Sequence, residues 1–413
     1  MLTYPKDWTE ISLGDFAEVT KLAGFEFTEH VIYSDIGKIV AIRGLNVKQG
    51  KLVLDDVKFI DKSNFAKLSR SKLYINDILF TYVGTVGELA IIPENDRFFL
   101  APNVARIRIK DKQDPAFVMR YMMSSHFFDE VITPLIATSS QPALSMGNIR
   151  KFVLRLPKVQ EQKAIATTLN VLDEHLFNLS ELIEKKKDIR DGALEDLISG
   201  RTRLKGFSGE WITVPFDKYF SLLKNNTYAR DQLSEHGTIG NIHYGDVLIK
   251  YGDVVSDNDD IPFLKSDVGY SEKWLLQEKD VIIADTAEDE TVGKAIQVGK
   301  ISYPLVGGLH TIVCRPNYDT ATGFLGYYIN SKEYHDQLLP HITGIKVSSI
   351  SKKAIKTTEI KVPKDVKEQA AIAEVLASMD SEISALEEKR EKMIQIREGA
   401  MDDLLTGKVR LSE

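Results

Sequence analysis

Apolar and polar positions recur most regularly in two long segments of the chain, residues 161–204 and 368–411. In each segment apolar residues step by four and three positions, which is the spacing of a coiled-coil seam, and charged residues flank them. The seam positions are Ile165, Leu169, Leu172, Leu176, Leu179 and Ile183 in the first segment and Ile372, Leu376, Met379, Ile383 and Leu386 in the second. Gly200 and Gly407 follow, where a glycine typically ends a helix. The pattern therefore predicts two long helices.

The segments outside these helices carry short apolar runs separated by Gly, Asn and Asp, which predicts strands joined by turns. The predicted strands are KIVAI, KLVLDDVKFI, DILFTYV, ELAIIP and VARIRIK in the first globular segment and DVLIKYG, DVIIAD, KAIQVG and HTIVCRP in the second. FVMRYMMSSHFF (117–128) and FLGYYINSKEYH (324–335) predict a short helix in each segment. Both globular segments are therefore predicted to be α+β.

The chain repeats itself at two levels. The two helical segments align without a gap over 44 positions with 20 identities. The globular segments match more faintly, since each has a Thr-Val-Gly turn after an apolar strand, at 85–87 and at 291–293. Gly192 and Gly399, inside the last turns of the helices, cost about 1 kcal/mol each relative to alanine, so we expect another backbone to approach closely there.

A polar helix of this length needs an apolar partner for its seam, and the nearest partner is the other copy. Two like units joined by like helices can pair antiparallel with pseudo-twofold symmetry and leave the globular domains at opposite ends of a rod. Two independent surface helices are the alternative. We predict an α+β fold with two globular domains separated by two long helices that pair as an antiparallel coiled coil. The predicted divisions are a first globular domain (1–155), a central spacer helix (156–203), a second globular domain (204–361) and a C-terminal spacer helix (362–413).

Composition narrows the class of protein. The chain is 43% hydrophobic and 27% charged, and it has no apolar run long enough to span a membrane. The first residues lack the features of a signal peptide, and the single cysteine, Cys314, cannot form an internal disulfide, so we expect a cytoplasmic protein. The net charge of −7 is uneven, with 20 Lys+Arg against 18 Asp+Glu in 1–155 but 17 against 21 in 204–361. Contact with DNA would thus require local basic patches.

Two motifs occur twice, E-Q-x-x-I-A at the start of each helix and I-R-x-G-A-x-x-D-L-x-x-G at its end. In this arrangement, after two divergent domains, they resemble the specificity subunit of Type I restriction–modification systems, and the resemblance covers the whole chain. It implies that each globular domain is a target-recognition domain reading one half of a bipartite, gapped, double-stranded DNA sequence. It further implies that the helices set the spacing, that two methyltransferase subunits dock on the assembly, and that nuclease-translocase subunits join them. S-adenosylmethionine, ATP and magnesium are then expected on those partners.

The residues themselves suggest where DNA would bind, because Lys and Arg contact phosphates and polar side chains reach base edges. In the first domain the candidates are Arg43, Asn46, Lys48, Lys51, Lys67, Arg70, Lys72, Tyr82, Thr85, Ser139, Ser140 and Gln141. In the second they are Asn226, Thr227, Tyr228, Arg230, His243, Tyr244, Lys250, Lys346, Ser348, Ser349 and Lys352. For any single residue among them a solvated surface is the competing interpretation.

Motifs for catalysis are missing from the sequence. It contains no N/D-P-P-Y/F motif of an adenine methyltransferase, no Walker loop and no H-E-x-x-H. His310 and Cys314 in LHTIVCRP fit strand packing better than a nucleophile pair, and the acidic run 257–260 fits a solvated turn better than a metal loop. We therefore predict a non-catalytic binder with no metal or cofactor of its own. A scaffold that binds only protein and a self-contained enzyme are the two alternatives.

Overall fold

The computed structural model describes residues 4–110, 112–136, 143–344 and 346–411. Its contacts divide the chain into two units: unit 1 comprises 1–180 and 389–413, and unit 2 comprises 181–388. Each unit therefore holds one globular segment together with parts of both long helices. The finer division of the chain at 155, 203 and 361 stays a prediction.

Unit 1 begins with short strands and helices and then enters a long helix. The strands are β1 (Thr9–Ser12), β2 (Ala17–Lys21), β3 (Val40–Ile42), β4 (Val47–Lys48), β5 (Lys51–Leu52), β6 (Lys58–Phe59), β7 (Ile78–Thr81), β8 (Leu89–Ile91), β9 (Phe98–Leu100), β10 (Val104–Ile109) and β11 (Val153–Leu156). The helices are α1 (Leu13–Phe16), α2 (Gly24–His30), α3 (Pro115–Met123), α4 (Ser125–Phe127), α5 (Met146–Arg150) and α6 (Val159–Ser199), which unit 1 contains as far as residue 180.

The main sheet of unit 1 has the strand order β2–β10–β7–β8, all antiparallel. A second layer places β3 between β6 and the parallel strand β9. Strand β7 is buried on both faces, because Ile78 and Phe80 belong to the core beneath α3 while Leu79 belongs to the core shared with β3 and β9. A continuous apolar run is what such a strand requires, and ILFT provides it.

Unit 2 repeats this plan. Its strands are β12 (Trp211–Pro215), β13 (Phe220–Leu223), β14 (Leu233–Ser234), β15 (Gly240–Ile242), β16 (Val254–Val255), β17 (Phe263–Leu264), β18 (Val281–Ala284), β19 (Thr286–Ala287), β20 (Ala295–Val298), β21 (Leu305–Gly307), β22 (Thr311–Pro316), β23 (Ser348–Ser349) and β24 (Glu359–Pro363). Its helices are α7 (Phe216–Tyr219), α8 (Tyr244–Ile249), α9 (Phe324–Asn330), α10 (Lys332–Leu338) and α11 (Lys352–Ile355), and the chain ends in α12 (Val366–Thr406), of which unit 2 contains the residues up to 388.

The sheet topology of unit 2 confirms the faint repeat between the globular segments. Its main sheet runs β13–β22–β18–β20–β16, and β15 lies between β17 and the parallel strand β21. Val281 and Ile283 of β18 face one core and Ile282 faces the other, as in β7 of unit 1. The two globular segments therefore share one fold although their sequences have diverged.

Two predicted strands are wrong. DVLIKYG lies in and just after helix α8, because β15 has already ended and the Nδ1 of His243 accepts the backbone N–H of Gly245 to cap a helix. KLVLDDVKFI is two short strands, β5 and β6, because the buried amide of Asn46 donates to the carbonyls of Val53 and Asp56 and holds the intervening residues in a turn.

The long helices pair antiparallel inside each unit. In unit 1 the guanidinium of Arg397 on α12 lies 3.0 Å from the carboxylate of Asp173 on α6. In unit 2 Arg190 on α6 lies 2.8 Å from Asp380 on α12, and Lys186 lies 2.7 Å from Glu382. A second pair in unit 1 joins Glu161 to Arg410, so in both units the residue number rises along α6 as it falls along α12, and the two helices run in opposite directions. The alternative of two independent surface helices is therefore wrong.

The repeated Glu-Gln start of each helix performs the same task twice. In unit 1 the amide of Gln162 accepts the backbone N–H of Asp114 at 3.0 Å, just before α3, and donates to the carbonyl of Pro157 at 2.9 Å. In unit 2 Gln369 accepts the N–H of Ala321 at 3.0 Å and donates to the carbonyl of Pro363 at 2.8 Å. Each glutamine thus ties the start of a long helix to the globular domain.

The glutamates of the same motif bind the far end of the other helix. Glu161 pairs with Arg410 at 2.7 Å, and the buried Glu368 pairs with Arg203 at 2.7 Å. Apolar packing joins the same two helix ends, since the core of unit 1 includes the seam residues Ile165 and Leu169 of α6 together with Leu404 and Leu405 of α12. Inside each unit, the start motif of one long helix therefore pairs with the end of the other long helix.

The glycines in the helices have two different environments. Gly200 and Gly407 follow the last helical residues with φ angles of +75° and +73°, which confirms that they end the helices in the left-handed conformation. Gly192 and Gly399 lie within the helices, and a Cβ built on either meets no described atom within 4 Å. Within the described chain no backbone approaches them, so close approach by the backbone of a partner stays a prediction.

Candidate nucleic-acid interface

A cleft of about 420 Å³ opens in unit 1 where β3 and β7 end and β10 begins. Its walls are formed by Tyr33, Arg43, Gly44, Leu45, Thr81, Val83, Thr85, Pro102 and Asn103. Arg43 lies at one side and donates to the carboxylate and the carbonyl of Asp56, both at 2.8 Å. The guanidinium is therefore held in place by its own domain while part of it still faces the cleft.

The turn after β7 forms the opposite wall. Gly87 has a φ of +97°, and a Cβ there would lie 2.6 Å from the ring of Phe128, so this turn requires glycine. Thr85 is exposed at the cleft, whereas the ring of Tyr82 is buried beneath the ammonium of Lys21, 5.1 Å from its centroid. Of the two predicted residues in this turn, only Thr85 presents its side chain outward.

The predicted loop at Ser139, Ser140 and Gln141 lies outside the described residues. The first described residues after it pair with the turn, since Ala143 forms a bridge with Val83 and the N–H of Leu144 donates to the carbonyl of Tyr82 at 2.9 Å. Ala143 and Leu144 are therefore next to the turn that follows β7.

The remaining basic candidates of unit 1 fall in two other places. Lys48 and Lys51 form the β4–β5 hairpin and line a second cleft of about 810 Å³ with Asp173, Phe177 and Arg397 of the long helices. The ammonium of Lys51 lies 5.8 Å from the ring centroid of Phe177. These two lysines therefore face the helices of unit 1.

Lys67, Arg70 and Lys72 lie on a third surface. Lys67 and Arg70 are exposed, and the ammonium of Lys72 pairs with Asp96 at 2.6 Å above the ring of Tyr74. Asn46 is buried, and its amide is occupied by backbone groups of its own domain. The segment 43–72, continuous in sequence, is thus divided among separate surfaces.

Unit 2 has a corresponding surface where β15 and β18 end and β22 begins. The amide of Asn225 donates to the carbonyl of Gly308 at 3.0 Å and accepts from the ammonium of Lys352 at 3.4 Å. The ring of Tyr244 lies edge-on to the ring of His310, with 5.3 Å between their centroids. Residues far apart in the sequence meet here.

An ion pair borders this surface. Arg230 donates to the buried carboxylate of Asp246 at 2.7 Å while about half of its side chain stays exposed. Burial of His243, and then the neighbouring charge of Arg230, lower the pKa of its imidazole. His243 is thus favoured as a neutral ring that caps α8.

The other candidates of unit 2 are mixed in exposure. Thr227, Lys250 and Lys346 are exposed, and Lys250 pairs with Asp260 at 2.7 Å. Asn226 is buried and donates to Asn241 at 2.8 Å, and the hydroxyl of Tyr228 donates to the carbonyl of Gly269. Neither side chain presents an unused amide or hydroxyl outward.

Ser348 and Ser349 form β23, which pairs with Ala287 and Thr286 of β19. This matches the bridge between Val83 and Ala143 in unit 1. The cleft of unit 1 and the corresponding surface of unit 2 are therefore built from the same three places: the end of β3 or β15, the turn after β7 or β18, and a late segment that returns to that turn.

The family profile described as "Type I restriction modification DNA specificity domain" matches this chain twice, at residues 5–188 and 213–395. Together these matches cover well over half of the chain. The chain belongs to the Type I restriction–modification DNA specificity family. It is a specificity subunit with two recognition domains, the DNA-recognition rather than the catalytic component of such a system.

Relatives and solved structures agree with this assignment. A putative Type I restriction enzyme specificity subunit, MjaX of Methanocaldococcus jannaschii, is 25% identical over 98% of this chain and 95% of its own length. The EcoBI specificity subunit of Escherichia coli is 25% identical over 44% of this chain and 37% of its own. The S subunit structure from M. genitalium covers 96% of both chains with a TM-score of 0.55 at 16% identity, and it shows the shared fold.

Sequence reasoning about this specificity subunit missed Asn103 and His310. Asn103 directly precedes β10 and His310 directly precedes β22. The two residues are 207 positions apart, as are the two copies of the long helix, and this shared offset is the sequence signal that relates them. His310 was expected to pack within a strand, but it is exposed, while Cys314 is fully buried and burial raises the pKa of its thiol. A nucleophile pair of these two residues is therefore excluded.

Other chemistry in the specificity subunit is limited. The acidic run is a turn in which Asp259 accepts the N–H of Ser256 at 2.8 Å and Asp257 accepts that of Ser302 at 2.8 Å. Across the residues described, no group of His, Cys, Asp and Glu side chains is arranged to hold a metal ion. In the same residues, none of the helices has the length and apolar character of a membrane span.

Proposed function

We propose that this specificity subunit recognises a bipartite, gapped sequence in double-stranded DNA, with each recognition domain contacting one half. The observation that carries the proposal is that the cleft of unit 1 and the corresponding surface of unit 2 share their backbone plan and differ in their side chains. Arg43 in unit 1 corresponds to His243 in unit 2, and Thr85 and Thr286 lie in the segments that follow β7 and β18. A duplicated fold with divergent polar side chains suits two different half-sites.

Exposed cations supply the affinity for DNA in this proposal. Lys67 and Arg70 in the first domain, and Lys346 and Lys352 in the second, are exposed and could neutralise phosphates. The second domain has a net negative charge, so its acidic turns must lie away from the DNA. Phosphate contacts would give binding that weakens as salt concentration rises.

We further propose that the long helices set the gap between the half-sites and carry two methyltransferase subunits. Ile189 of unit 2 and Ile396 of unit 1 are 58% and 55% exposed. Three positions after each isoleucine comes an uncovered glycine, Gly192 or Gly399. An exposed apolar residue beside an uncovered glycine suits close packing of a partner helix. Because the feature occurs once in each unit, it favours two equivalent partners, with nuclease-translocase subunits joining through the complex.

The recognition proposal is tested by methylome sequencing. The chain is produced with its cognate methyltransferase subunits in a host without other adenine methylation, and methylated positions are mapped. Two short blocks separated by a fixed gap are expected. A single contiguous block, or methylation without site preference, would contradict the proposal, and the same host without this chain is the control.

The alternatives are separated by two further measurements. A DNA mobility shift by the assembled complex that weakens with salt excludes a scaffold that binds only protein. Methyl transfer by the isolated chain would contradict the view that the chemistry resides on the partner subunits.

Docking is tested by Gly192→Leu and Gly399→Leu, since a leucine at either place would block close approach. Each single variant should retain one methyltransferase subunit in native mass spectrometry, and the double variant none. Gly209→Leu is the matched control, because a Cβ at Gly209 also meets no described atom within 4 Å but lies outside the helices. Unchanged stoichiometry in the double variant would contradict this docking surface.

A further inference from the structure

Two exposed residues occupy the left-handed backbone region at the same point of the two recognition domains. Asn103 has a φ of +73° and lies between β9 and β10, and His310 has a φ of +53° and lies between β21 and β22. Non-glycine residues adopt this conformation uncommonly, and such positions cluster at functional sites. Glycine would fit with less strain, so the presence of side chains at both places requires a reason.

The backbone at both positions is fixed in the same way. The carbonyl of Asn103 accepts the N–H of Tyr82 at 3.1 Å, and the carbonyl of His310 accepts the N–H of Asp285 at 3.1 Å. Tyr82 and Asp285 each follow the last residue of a central strand, β7 or β18. These hydrogen bonds therefore hold Asn103 beside the turn after β7 and His310 beside the turn after β18.

The side chains at these positions are presented outward. Asn103 is exposed and lines the cleft of unit 1 with Arg43 and Thr85. In the part of the chain that the structure describes, its amide makes no hydrogen bond with another side chain. An amide offers one donor and one acceptor side by side, which matches the N6 and N7 atoms of adenine in the major groove.

His310 offers a different set of groups. Its Nδ1 lies 3.3 Å from a carboxylate oxygen of Asp285 and 3.4 Å from the hydroxyl of Thr286. A carboxylate can only accept a hydrogen bond, so this contact fits the tautomer with the proton on Nδ1, in which Nε2 is an acceptor. Among the described residues Nε2 has no hydrogen-bond partner, and an exocyclic amino group of adenine or cytosine would suit it.

We propose that Asn103 and His310 are the paired specificity positions of this subunit, each contacting a base edge in its own half of the target. This inference rests on the proposed function and deepens it. It explains why the same backbone position carries chemically different side chains in the two domains, since the two halves of a bipartite target differ in sequence.

The test uses the complete chain assembled with its methyltransferase subunits. Asn103→Gly and His310→Gly remove the side chain at positions whose φ suits glycine, so the fold is retained. Asn76→Gly and Lys279→Gly are matched controls, because both residues also have positive φ, +69° and +76°, but precede β7 and β18 at the other end of each strand. Methylated sites are sequenced for each complex.

Asn103→Gly should reduce discrimination at one base position of one half by about 5- to 150-fold, and His310→Gly should do so in the other half only. Both controls should keep the wild-type site. If the wild-type target is bipartite and both glycine variants at the cleft keep it unchanged, this inference is overturned and the proposed function stands. A wild-type target that is not bipartite overturns both.

Discussion

At the residue scale, the Glu-Gln pair at the start of each long helix shows how two side chains can fix a junction. The glutamine bonds the helix to its own globular domain, and the glutamate binds an arginine that follows the other helix. Glu368 is 1% exposed, so its charge depends on Arg203 for compensation. A buried carboxylate without a partner is strongly destabilising.

Arg203→Ala should therefore lower the free energy of unfolding by about 2–3 kcal/mol. The control is Arg201→Ala, which removes an exposed pair with Asp196 and should cost less than about 1 kcal/mol. Denaturant titrations measure both. Adding Glu368→Gln to Arg203→Ala should recover part of the loss, and equal losses for the two arginine variants would contradict the argument.

His243 should make stability depend on pH. Burial and Arg230 hold its pKa below 6.5 in the folded chain, so on acidification the unfolded chain binds the proton first. The stability that neutral His243 contributes to the folded chain is fully present above pH 6.5, and it is lost as the pH falls from there through the lower pKa of the folded state. His243→Gln should flatten the fall in unfolding free energy between pH 7.5 and 5.5, as measured by denaturant titrations across that range.

At the scale of elements, the helix boundaries depend on local signals and the strands do not. Gly200 and Gly407 end their helices as predicted, because the left-handed turn is a property of one residue and its neighbours. The DVLIKYG segment has apolar residues that suit a strand or a helix, and its helical form follows from the end of β15 and the cap by His243. A short apolar run does not distinguish the two.

Replacing the glycine within α12 and the glycine that follows it should change the free energy of unfolding in opposite directions. Gly407→Ala should lower the free energy of unfolding by about 1–2 kcal/mol or more, since φ is +73° and the new Cβ would lie 2.5 Å from Pro5. Gly399→Ala should raise it by about 1 kcal/mol, because helical alanine is favoured and the space is open. Thermal unfolding of the two variants measures the difference, and the same sign for both would contradict it.

At the scale of the whole molecule, the chain is a duplicated unit whose helical parts stayed alike and whose recognition domains diverged. Inside each unit the same contacts recur with an offset of 207, such as Asp173 with Arg397 and Asp380 with Arg190. This separation of a constant frame from variable surfaces suits changes of target without loss of the fold.

Inserting four residues after both Leu176 and Ile383 should change the gap between the recognised halves and leave each half intact, because only the proposed spacer is altered. Methylome sequencing of the variant complex is the measurement. A change within either half would contradict the role of the helices as the spacer.

Replacing residues 1–155 by another first recognition domain should alter one half of the target only. The second half and its cleft residues are unchanged in that variant, so they serve as the internal control. Changes in both halves of the methylated sequence would show that the domains do not read independently.

The sequence by itself determined the duplication, the two helices with their seams and ends, the α+β class and the family, because periodicity, capping and repeats are recorded in neighbouring residues. Only the tertiary structure decided which candidates share a surface. Arg43 and Asn103 line one cleft although 60 positions separate them, and Lys352 donates to Asn225 from 127 positions away. Lys48 is close to Arg43 in sequence but lines a different cleft, beside the long helices. Strand pairing sets these distances, and pairing depends on contacts that no local pattern records.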